Sequence, residues 1–215
     1  MVKSTLCKSY RAFLDKVIGD SQSKEDIILI SEHLQDLYEM PPRAYHNEVH
    51  ILEGLKRIKF SEQEAQPLYF AWYYHDSFYR PGDPRNEKKS SELLWIHMRA
   101  LNLSDKLIEE ACNLIEYTKH DPLNPPKKFF ERLIADIDLI PLADAREKFN
   151  KSSRDIRNEF AHISDREFFK GRLKFLIWML DRKEIYHTKE CQDLYETKAR
   201  KNISLEADRC LDILN

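Results

Sequence analysis

At 215 residues the chain is long enough to bury one sizeable core, and we read it as a single domain over residues 1–215. Its 4 Gly stand apart, which argues against a Gly-rich phosphate loop and a turn-dense β-sandwich. A formal net charge of −2 disfavours long nucleic acid as a partner, while a metal and a few Arg still provide for a small anionic substrate.

Charged residues make up 33% of the chain, a share that fits helices with solvated faces. Cys7, Cys112, Cys191 and Cys210 are scattered without a C-x-x-C pair, as expected of reduced thiols in a cytoplasmic protein. The start, Met1-Val2-Lys3-Ser4-Thr5, has no long apolar stretch, and no run is apolar enough to span a bilayer, so no membrane partner is expected.

Helical periodicity runs through the chain. Tyr10, Phe13, Leu14, Val17 and Ile18 share one apolar face, and Gly19-Asp20 ends that helix. Ser23 is placed to cap a second helix through Ile27, Ile30, Leu34, Leu37 and Tyr38, broken at Met40-Pro41-Pro42. A third is expected from Asn47 to about Ile58, with His50, Leu52, Leu55 and Ile58 inward. The Ser61/Glu64 capping box opens a fourth, which runs to His75-Asp76.

After the polar loop at Arg80-Pro81-Gly82-Asp83-Pro84-Arg85, helices are expected from Asn86 to Leu101, from Ser104 to near His120, and from Phe129 to Ile140. Three more follow, at about Asp144 to Ala161, Asp165 to Asp181 and Lys189 to Leu214. The fold class is all-α, a multi-helix domain with helices packed at mixed angles.

His46 and His50 lie four apart and share a face if the third helix begins at or before His46. The adjacent His75 and Asp76 can act together only near a helix end, which the Arg80 loop provides. Asp138, with Asp136 as the alternative, is an acid in an apolar run, costly unless paired or metal-bound. Imidazoles with carboxylates suit one or two divalent ions, Mn, Mg, Fe, Co or Zn, with open water positions.

The order His…His-Asp…Asp resembles the HD superfamily of metal-dependent phosphohydrolases. Tyr45-His46-Asn47-x-x-His50 resembles the Y-H-N-x-x-H signature of cyclic-nucleotide phosphodiesterases within it. The wider text is similar to a group of small bacterial predicted HD phosphohydrolases. It takes in Arg43, Trp72-x-x-His75-Asp76-x-x-Tyr79, Asn86-Glu87-x-x-Ser90, Thr118-x-His120, Asp136-x-Asp138-Leu139, Gly171-Arg172 and Ile185-Tyr186.

The resemblance implies that His50, His75, Asp76 and Asp138 ligate the metal. His46 would protonate the leaving oxygen, and Asp76 would also orient the attacking water. A small phosphorylated substrate, a nucleotide among the candidates, would be cleaved as a phosphomonoester or phosphodiester by metal-bound hydroxide. Arg43, Asn47, Asn86, Glu87 and His120 are the candidate substrate-binding residues, with Arg85 and Lys88 as further phosphate contacts and Glu48 or Glu87 as a carboxylate holding a histidine.

The chain departs from the family where Ser77-Phe78-Tyr79 follows His75-Asp76 in place of a Glu base, and it is shorter than a phosphodiesterase domain. Cyclic-nucleotide specificity therefore does not transfer. Two rivals are an HD-fold di-iron oxygenase, which would draw on His97 and His120, and a non-catalytic nucleotide sensor.

Overall fold

The computed structural model describes residues 5–19 and 24–215. The described residues form ten α-helices and short 3-10 turns, with no strand among them. Asp20 and Ser23, expected to end the first helix and cap the second, lie outside the described residues. No helix among the described residues is long and apolar enough to cross a membrane.

The helices sort into two compact units, Met1–Pro125 and Pro126–Asn215. The first holds α1 (Thr5–Ile18), α2 (Lys24–Glu39), α3 (Glu48–Leu55), α4 (Gln66–Tyr74), α5 (Asn86–Ala100) and α6 (Asp105–Ile115). A 3-10 turn at Glu116–Lys119 finishes α6. The short helix α4 is the centre of this unit. Leu68, Phe70, Ala71, Trp72, Tyr73 and Tyr74 are all buried, so it is apolar around its whole circumference, as a helix packed on every side must be. The run Trp72-Tyr73-Tyr74 is thus core.

Aromatic rings join α1 to α4. Phe13 meets Phe70 edge-on at 4.8 Å, and Tyr10 lies 4.7 Å from Tyr73. Such pairs add about 0.5–1.5 kcal/mol beyond their buried area.

Two boundaries differ from expectation. Helix α3 begins at Glu48, with Asn47 as its N-cap, so His46 precedes the helix. Its inward residues are His50, Ile51 and Gly54, while Leu52 and Leu55 are only half-buried. The Ser61/Glu64 box forms, with Ser61 Oγ donating to Glu64 Oε2 at 2.7 Å, yet it closes a turn; α4 starts at Gln66, where Pro67 fits the first helical turn.

The second unit holds α7 (Phe129–Leu139), a 3-10 turn (Ile140–Ala143), α8 (Arg146–Glu159), α9 (Asp165–Asp181) and α10 (Lys189–Leu214). Its core joins Leu139, Phe169, Leu176, Met179, Ile185 and Ile203. The Tyr186 hydroxyl donates to the Leu139 oxygen at 3.0 Å, and Asn202 Nδ2 donates to the oxygens of Leu142 and Asp144. None of the four Cys is in a disulfide, and three of them are buried.

Candidate metal centre

Two helix ends build the centre in the first unit. Asn47 caps α3: its Oδ1 accepts from Val49 N at 2.9 Å and its Nδ2 donates to Ala44 O at 2.8 Å. That cap fixes the start of α3 and sets His50 in its first turn, facing inward. Helix α4 ends at Tyr74, so His75 is its C-cap and Asp76 lies just beyond. The chain turns there, and the adjacent side chains His75 and Asp76 reach the same place.

Three donor atoms converge. His50 Nε2 faces His75 Nε2 at 3.2 Å. Asp76 Oδ2 stands 3.1 Å from His75 Nε2 and 3.7 Å from His50 Nε2. His75 is fixed from behind: its Nδ1 lies 2.9 Å from the Trp72 oxygen, an acceptor that puts the proton on Nδ1 and leaves Nε2 with its lone pair. The Trp72 indole stacks on the same ring at 4.3 Å and donates from Nε1 to Ile51 O at 2.9 Å, which ties α4 to α3.

These residues fit a divalent ion. Nitrogens bound to one ion at about 2.0–2.1 Å stand about 3 Å apart, close to the spacing of the two Nε2 atoms. Asp76 Oδ2 is buried, has no geometrically formed hydrogen bond, and has the imidazole nitrogens of His75 and His50 beside it. Burial alone would raise the Asp76 carboxyl. Positive charge on His75, His46 and His50, when these imidazoles are protonated, outweighs it and holds the group well below the usual carboxylate range. An ionised, buried carboxylate oxygen beside two imidazole nitrogens is a cation's setting.

His46 reaches the centre from the segment before α3. Its ring stacks on Tyr79 at 4.2 Å and lies 6.2 Å from the His50 ring. Arg43 holds that segment, donating to the main-chain oxygens of His46, Asp76 and Ser77 at 2.8, 2.8 and 3.0 Å. Its guanidinium also lies against the rings of Tyr38 and Tyr79. Arg43, expected to contact substrate, braces the main chain around the centre.

The other expected substrate contacts divide. Asn86 closes the loop by exchanging two hydrogen bonds with the main chain of Arg80. Arg85 pairs with Asp83. Glu48 accepts from Leu6 N at the start of α1. Glu87 is half-buried in the first turn of α5. Burial raises its pKa, Lys119 lowers it, and the charges of Asp76 and Glu116 raise it further, so it shares a field with the centre. His120 ends the turn after α6 with a left-handed φ of 53°. His97, the histidine offered for a second iron, lies 2.7 Å from the Tyr74 hydroxyl through Nδ1 and 3.1 Å from His33 through Nε2.

Helix α7 of the second unit carries both Asp136 and Asp138. Asp136 is buried, and its oxygens accept from His187 N, Thr188 N and Thr188 Oγ1 at 2.7, 2.7 and 2.6 Å. It therefore anchors the segment that enters α10, including its N-cap Thr188. Asp138 is half-buried and lies two residues on, about 200° round the helix. Arg157 is spent within the same unit on Asp165, Phe160 O and Ile163 O.

One residue that shapes the centre left little mark in the sequence. A Cβ on Gly54 would stand 1.9 Å from Trp72 Cζ2, so the glycine makes room for the indole that supports His75. Its signal was an isolated Gly inside a helix, one turn after His50.

Comparison of the chain with protein-family models, curated proteins and solved structures finds no match in any of the three.

Proposed function

We propose that the chain is a metal-dependent phosphohydrolase of the HD type, acting on a small phosphomonoester or phosphodiester. One observation carries the reading: the convergence of His50 Nε2, His75 Nε2 and a hydrogen-bond-orphaned Asp76 Oδ2, with the His46 imidazole beside them.

His50, His75 and Asp76 would hold the ion, and the family resemblance adds Asp138 as the fourth ligand. Asp136 is a poor alternative, because both of its oxygens already accept hydrogen bonds at the start of α10, three in all. A divalent ion would supply an acidified water and polarise a phosphoryl oxygen. The chain's own residues do the rest. Asp76 accepts a hydrogen bond from the attacking water and orients it. His46 donates a proton to the departing ester oxygen, a task suited to an imidazole near neutral pH. Tyr79 holds the His46 ring by stacking, and Arg43 holds its peptide. The oxygenase alternative loses support, since His97 faces His33 and Tyr74 and is not among the donor atoms that converge at His50, His75 and Asp76.

The test uses the full chain with Mn(II) or Mg(II), assayed on p-nitrophenyl phosphate, bis(p-nitrophenyl) phosphate and a nucleotide panel. Asp76→Ala is expected to lose both metal and turnover. His46→Asn is expected to keep the metal and lose rate. An Asp76→Ala protein with unchanged metal content and rate would sink the proposal, and nucleotide binding without turnover on any metal would favour a sensor.

A further inference from the structure

The first unit contains a second pair of facing imidazoles, neither of them given a role in the centre above. His33 is exposed on α2 and His97 is buried on α5. His33 Nδ1 lies 3.1 Å from His97 Nε2, with the ring planes inclined at 62°. Behind His97, Nδ1 meets the Tyr74 hydroxyl at 2.7 Å, and that hydroxyl accepts from Tyr10 Oη at 3.2 Å.

We propose that His33 and His97 form a separate transition-metal site, taking Zn(II) or Cu(II) on the α2–α5 face. The nitrogen separation is the about 3 Å that two imidazoles on one ion require. Nitrogen donors select borderline ions such as these over Mg(II) or Ca(II).

The partner behind His97 is of the kind a ligand needs. A neutral imidazole that binds through Nε2 carries its proton on Nδ1, and in that tautomer the Tyr74 oxygen at 2.7 Å is the acceptor that fixes the ring's orientation. Tyr74 is itself buried and cannot swing away. His33 faces solvent, so the ion has an entry path and water completes its coordination. In the metal-free protein the same two nitrogens share one proton as a hydrogen bond. Binding exchanges that proton for the ion without moving either helix.

Zn(II) binding by isothermal titration calorimetry tests the site on the full chain, comparing wild type with His33→Ala, His50→Ala and the double variant. His33 is exposed, so its removal is expected to leave the fold intact, as checked by circular dichroism melting. The His50→Ala protein should retain a Zn(II) class that the double variant lacks, and in His50→Ala the imidazole NMR signals of His97 should move with Zn(II). Identical Zn(II) stoichiometry and affinity in His50→Ala and the double variant overturns the proposal. That outcome is independent of the phosphohydrolase reading, which is decided by turnover and by the Asp76→Ala and His46→Asn variants.

Discussion

Arg43 Nη1 donates to the main-chain oxygen of Asp76 at 2.8 Å, and the same nitrogen donates to the main-chain oxygen of His46 at 2.8 Å. One guanidinium thus sets the distance between the proposed proton donor and the proposed water-orienting carboxylate. An ammonium has no planar fork and cannot reach three carbonyls from one position. Arg43→Lys should cost roughly 2 kcal/mol of stability through the lost charge-assisted hydrogen bonds. It should lower kcat on bis(p-nitrophenyl) phosphate more than it raises KM, because His46 and Asp76 lose their alignment while substrate contacts remain. Steady-state kinetics with Mn(II) and a urea melt measure the two effects. A pure rise in KM would instead return Arg43 to the role of a phosphate contact.

Gly54 and Trp72 give a prediction about packing. With a Cβ placed 1.9 Å from Trp72 Cζ2, Gly54→Ala must displace the indole, at a cost of about 1–3 kcal/mol or more for an overpacked core. The indole also stacks on His75 and bonds to Ile51, so its displacement disturbs the imidazole it supports. Gly54→Ala is therefore expected to weaken Mn(II) binding although residue 54 touches no ion. Trp72→Phe made in the same chain should recover part of the stability, giving a non-additive double-mutant cycle. Additive urea-melt values would mean that the two positions are not coupled.

The helices were legible because apolar residues recur at helical spacing, and the class all-α follows from it. The His75-Asp76 pair was legible for a similar reason. Adjacent residues diverge on a helix, so joint use required an end, and α4 ends at Tyr74. His46 and His50 would share a helical face only if α3 began at or before His46. The Asn47 side chain makes a better cap than an interior residue, and the helix starts after His46. The bracing role of Arg43 was beyond reach, since its partners are main-chain carbonyls, which leave no mark in residue identity.

Asp136 and Asp138 should separate cleanly in experiment. Asp136 takes three short hydrogen bonds at the start of α10. In Asp136→Asn an amide NH2 would face main-chain N–H groups or leave them unsatisfied, which costs about 1–3 kcal/mol. Asp138→Asn should weaken Mn(II) binding, as expected of a ligand. Unfolding curves and metal titrations on both variants read this out. A large stability loss in Asp138→Asn with Mn(II) affinity intact would remove it from the ligand set.

The buried His97 makes metal-free stability depend on pH. Burial, aided by the neighbouring His33, lowers its pKa from the ordinary 6.5 to about 4. Tyr74, held well above the ordinary tyrosine range mainly by burial, stays neutral throughout and contributes no charge change. The unfolded chain then binds a proton at His97 before the folded chain does, so stability rises with pH wherever the two differ. The contribution is complete above an ordinary histidine pKa of 6.5 and is lost as pH falls toward about 4. Urea midpoints measured in chelator at steps across that range should fall for wild type and fall less steeply for His97→Gln, whose amide takes up no proton. Equal slopes for the two proteins would show that the acid sensitivity arises at other groups.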